Sequence, residues 1–150
     1  MTERRLRAMQ LAIAAVGFAG VIAELVLHEH WAAPWQVVPF FLCGAGIAAI
    51  AVFAANPGRV TARLLQAVML LAAAGAVIGM VQHLQGNFGF EREIFPDAPL
   101  AELLGSALKG VAPLLAPGGI ALGALVAAAA TYRHPASGGP RQETRTGRAK

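Results

Sequence analysis

Residues 21–31 read VIAELVLHEHW, and they hold the densest group of reactive side chains in the protein. Glu24, His28, Glu29 and His30 place carboxylates and imidazoles at the end of an apolar run. Glu24 and His28 are four residues apart, so on a helix they share a face. A second set follows further along, where His83 precedes Gln85, Asn87, Glu91 and Glu93. His83 and Asn87 repeat the four-residue spacing.

Imidazole and carboxylate together suit a transition metal such as Zn, Cu(II) or Fe. The first-choice metal ligands are Glu24, His28 and His83, with His30, Glu91 and Glu93 as additions. Alternatively, His28 and His83 face each other and hold a haem b through two axial imidazoles. That reading ranks below the metal ion, which uses more of the available groups. In a third reading Glu24 and the histidines relay protons in a small transporter. The plainest reading is a hydrogen-bonded polar lock that fixes helix register. No HExxH, CxxC or CxxCH spacing is present, and there is no phosphate-binding loop or dinucleotide fingerprint. No serine sits in a nucleophile elbow. The residues therefore assign no enzyme class.

Bringing these groups together depends on the elements that carry them. Of 150 residues, 57% are hydrophobic and only 13% charged, against about 25% charged in a soluble domain. Alanine supplies about a fifth of the chain, which makes thin helices able to approach closely. One cysteine, Cys43, excludes an intrachain disulfide. Four stretches match the ~20 residues that a helix needs to cross a bilayer. They are residues 8–27, 35–55, 64–84 and 111–132. The first has a basic start like a signal peptide, but its apolar run is too long for one and reads as a retained span.

Lys and Arg in short flanks set orientation. Ten of the twelve basic residues fall at the N-terminus, between the second and third spans, or after the fourth. Only Arg92 and Lys109 fall on the other side, with Glu24, Glu29, Glu91, Glu93, Asp97 and Glu102. Both termini are predicted to be cytoplasmic, in a bacterial inner membrane. The net charge of +4 is then a topology signal and does not indicate nucleic acid. Trp31 and Trp35 at the outer rim and Tyr132 at the inner one agree.

The stretch from 85 to 110 is expected to begin as a loop, QGNFGFEREIFPDAP, and to end in a short amphipathic helix. Leu100, Leu103, Leu104, Ala107, Leu108 and Val111 share its apolar face. Pro113 and Pro117, with Gly118 and Gly119, are expected to break the fourth span near its outer end. Residues 133–150 are expected to form a disordered basic cytoplasmic tail. Gly75 with Gly79 and Gly119 with Gly123 are small-xxx-small pairs, read as packing within the chain rather than as a dimerisation site.

The predicted architecture is all-α: an integral membrane four-helix bundle over residues 1–132 with an interfacial helix in its last outer loop. The first and third spans run in the same direction, so their ends bring His28, His30 and His83 to one surface. The expected function is a small membrane protein with a periplasm-facing His/carboxylate site for a metal, in metal handling or as a redox accessory. The rival is a non-catalytic subunit of a membrane complex, and the third reading is a proton-coupled transporter using Glu24. The expected partners are the bilayer and a membrane protein or a second copy.

Overall fold

A computed structural model describes residues 2–132 and His134. The rest of the tail reading falls outside the described residues. Five α-helices are present among them, and no strand. Helix α1 is Glu3–Leu27, and α2 is Val38–Ala55, entered through a 3-10 turn at Pro34–Val37. Helix α3 is Arg59–Ile94, α4 is Leu100–Ala107 and α5 is Leu115–Ala129. Three segments are long and apolar enough to cross a membrane: α1, the 3-10 turn with α2, and α3. Helix α5 is apolar but shorter, at 15 residues.

The four apolar helices form a ring in the order α1, α2, α3, α5. Each packs on its two neighbours, α1 and α3 stay apart, and α2 meets α5 only slightly. The buried positions follow a heptad. They are Ala62, Leu65, Met69, Ala72 and Ala76 on α3, and Cys43, Gly46, Ile50 and Phe53 on α2, with Ala49 of α2 and Gly123 of α5 buried one residue off the seam. On α1 they are Leu11, Ala14 and Phe18, and on α5 Pro117, Ile120, Ala124 and Ala127. Steps of three and four place such residues along one seam of a left-handed bundle.

Glycines host the knobs in this ring. Phe18 of α1 is fully buried and lies between α2 and α5. A side chain at Gly46 would meet it at 2.8 Å, and one at Gly123 at 3.2 Å. Leu42 of α2 sits over Gly75 of α3, and Pro117 of α5 packs 3.3 Å from the place a Cβ would take on Gly79. In lipid the drive between helices is close packing, and each interface of the ring has at least one glycine that admits it. The glycine pairs therefore serve packing within the chain, as their spacing suggested.

Two differences from the sequence expectation stand out. The expected loop from 85 is helical as far as Ile94. Leu84, Asn87, Phe88 and Glu91 are less exposed than their neighbours. Their i, i+3, i+4, i+7 pattern continues a helix face, and α4 packs against α3. The fourth apolar run begins as helix only at Leu115, two residues after Pro113. Pro117 lies in the first turn of α5, where backbone N–H groups have no helical partner in any case. The short helix expected in the outer loop is α4. It turns Leu103 and Ala107 inward and leaves Leu100, Leu104 and Leu108 exposed.

Candidate functional site

The seam of α3 continues from Ala76 through Gly79 to His83, again in steps of three and four. This places His83 on the inward face of α3. Its Nδ1 is buried and has no hydrogen-bond partner. Four residues on, Asn87 is 5% exposed and clasps the connection between α4 and α5. Its Nδ2 donates to the carbonyls of Ala107 at 3.0 Å and Ala112 at 2.9 Å. Its Oδ1 accepts from the Ala112 N–H at 3.0 Å. One amide thus satisfies both backbone groups of Ala112, which the break before α5 leaves without helical partners, and adds a second donor to the Ala107 carbonyl, which also accepts from the Gly110 N–H at 3.3 Å. Gly110 makes room for it: a Cβ there would come within 2.7 Å of Nδ2.

The HEH stretch ends α1. His28 is its C-cap, and the Glu29 N–H bonds to the Val26 carbonyl at 3.1 Å and the His30 N–H to that of Leu25 at 2.9 Å. This crossed pair is a Schellman stop, with Glu29 in the left-handed position (φ 50°) that glycine usually fills. The reversal leaves His28 exposed and brings His30, half-buried, over the bundle. The rings of His30 and His83 lie nearly parallel, 14° apart, with centroids separated by 6.4 Å. That distance is too long for ring contact and makes them neighbours across the end of the bundle.

The remaining sequence candidates do not join this pair. The buried seam of α1 descends from Leu11 through Ala14 to Phe18, with half-buried Val21 and Leu25 beyond. Glu24 is on its flank and exposed, and among the described residues its carboxylate has no hydrogen-bond or ion-pair partner. As a first-choice ligand it is expected beside His28 and His83. Its position, one residue off the seam and about one turn from the helix end, turns the carboxylate away from the bundle. Glu93 is exposed and Glu91 half-buried. Among the described residues no three of His, Cys, Asp or Glu stand close enough to hold a metal ion. Of Glu24, His28, His30, His83, Glu91 and Glu93, the two that the structure brings together are His30 and His83.

At the opposite end, Gln66 Nε2 donates to Thr131 Oγ1 at 2.9 Å, tying α3 to the end of α5. His134 follows, its ring edge-on to Phe53 at 5.3 Å. Burial, and then the positive charge of Arg7, hold its pKa below the usual histidine value. Comparisons with protein families, with curated proteins and with solved structures return no match.

Proposed function

We propose that the protein is a four-crossing membrane protein acting as a non-catalytic subunit of a membrane complex, with its outer end as the contact surface. Support for the fourth crossing comes from the two polar ties. Ala112 is level with Asn87 and Thr131 with Gln66. The 21 steps from Gln66 to Asn87 rise ~32 Å, close to the ~30 Å hydrocarbon thickness. The segment carrying α5 covers the same distance in the opposite sense. We take the termini to be cytoplasmic, in a bacterial inner membrane, and the support for this orientation is the excess of Lys and Arg in the flanks of that end.

The observation that carries the subunit reading is the part of α3 beyond Asn87. It runs another ~10 Å to Ile94 and exposes Phe90 (52%), Ile94 (50%) and, just after it, Phe95 (55%). Exposed apolar side chains carried past the hydrocarbon suit a protein contact. Photo-crosslinking in intact membranes tests this. A benzophenone amino acid at Phe90 or Ile94 is expected to give a discrete protein adduct, while one at lipid-facing Leu70 gives none. Lipid adducts alone at all three positions would refute the reading.

A metal site remains a second reading, favoured by the unpartnered Nδ1 of His83 beside His30. Two imidazoles would need further ligands from water or a partner. Elemental analysis of the purified protein is expected to find Zn, Cu or Fe that is lost in His30→Ala and His83→Ala. No metal above background, and no stabilisation by added Zn or Cu, would reject it. A Soret band would point to haem b instead.

A further inference from the structure

We propose that the groove between α1 and α2 at the basic end binds one anionic phospholipid, with Arg4, Arg7 and His134 on the phosphate and an acyl chain in the trough beyond. The groove is open along one side and has a volume of about 650 Å³. It is lined by Arg4, Arg7 and His134 together with Leu11, Ala12, Ala15 and Ile50. Large side chains such as Val16 and Leu122 project elsewhere on the apolar surface. Here alanines recess it.

Charge selects the headgroup. Among the described residues, no carboxylate lines this groove. The adjoining groove between α1 and α5 also contains Arg7 but includes Glu3. Glu3 lies 3.2 Å from Arg7 and offsets part of its charge, while Arg4 and His134 are added on the α2 side. Arg7 is close enough to His134 to disfavour its protonation, so the positive charge here is that of Arg4 and Arg7, with the neutral His134 ring beside them as a hydrogen-bonding group. Basic pockets between membrane helices are the usual seats of anionic lipid headgroups.

Length selects a lipid over a free anion. From Ala8, where the apolar run begins, to Ala15 α1 rises ~10 Å, about two thirds of the ~15 Å hydrocarbon depth of one leaflet. A phosphate held at Arg4 and Arg7 therefore starts a chain that the trough can follow through most of one leaflet. The site is at the end opposite to the His30–His83 pair and does not depend on the subunit reading.

Native mass spectrometry of the full-length protein released from detergent tests the assignment, with palmitoyl-oleoyl phosphatidylglycerol and phosphatidylcholine as probes. One phosphatidylglycerol is expected to be retained at least tenfold better than phosphatidylcholine. The double variant Arg4→Gln/Arg7→Gln is expected to lose that preference, and Arg59→Gln/Arg63→Gln to keep it within twofold. Ala15→Leu leaves the charges in place but fills the trough, and is expected to weaken retention. Inorganic phosphate at millimolar concentration is expected not to compete. Equal retention of the two lipids would overturn the proposal. So would an equal loss in the Arg59/Arg63 variant, which means diffuse surface charge. Competition by phosphate, with no effect of Ala15→Leu, would reduce the site to a simple anion contact.

Discussion

Asn87 acts at the His30–His83 end of the bundle as a cap on the connection between α4 and α5, because its amide both donates and accepts. Replacing it with alanine leaves the carbonyl and the N–H of Ala112 without a partner, while the Ala107 carbonyl keeps the Gly110 N–H. At the usual cost of an unmade hydrogen bond, partly relieved by water, Asn87→Ala is expected to destabilise by about 2–4 kcal/mol, measured as a lower midpoint in detergent-denaturant titration. Asn87→Asp keeps the acceptor and loses both donated bonds, so its midpoint should also fall. Glu29 makes the opposite case. Its left-handed backbone favours glycine, so Glu29→Gly is expected to be neutral or slightly stabilising. Glu29→Val is expected to cost about 1–3 kcal/mol in the same titration. His134 adds a pH dependence. Its pKa is depressed in the folded state, so the unfolded chain binds the proton better. Its contribution to stability is complete above the unfolded value of about 6.5 and declines as pH falls through it. His134→Asn should flatten the melting temperature between about pH 7.5 and 5.5.

The helices were legible from the lengths of their apolar runs, and the short outer helix from its period, because both rest on hydrophobicity alone. Facing directions were not. When nearly every side of α1 and α2 is apolar, no polar face marks the outside, and Glu24 gave no sign that the seam passes beside it. The extension of α3 was obscured by Gly86, Gly89 and the charges after them. The packing of α4 and the Asn87 clasp hold it helical, and both are distant in sequence. The convergence of the outer histidines was anticipated from span direction, but it is His30 that meets His83. The Schellman stop that swings His30 inward has glutamate where glycine would have announced it. What holds the ring together is the fit of Phe18 between Gly46 and Gly123. Phe18→Ala would leave a hole there. Its cost is expected near 2 kcal/mol, below the roughly 3–5 kcal/mol of a water-soluble core, because lipid adds no transfer term. Gly46→Val, which would push directly into the ring, is expected to lower thermal stability further than Ala45→Val beside it.

For the whole molecule, the two ends have different chemistry: a basic end with a trough between α1 and α2, and an acidic end where Asn87 and the His30–His83 pair close the bundle. Both proposals require these ends to face opposite sides of one membrane. Thiol accessibility in intact cells, in a Cys43→Ala background, tests this most directly. His30→Cys and Glu93→Cys are expected to react with a membrane-impermeant maleimide, and Gly58→Cys and Tyr132→Cys only after permeabilisation. Labelling of Tyr132→Cys together with His30→Cys in intact cells would show that α5 does not cross. Labelling of His30→Cys and Glu93→Cys from opposite sides would separate the ends of α1 and α3 and contradict the shared outer layer.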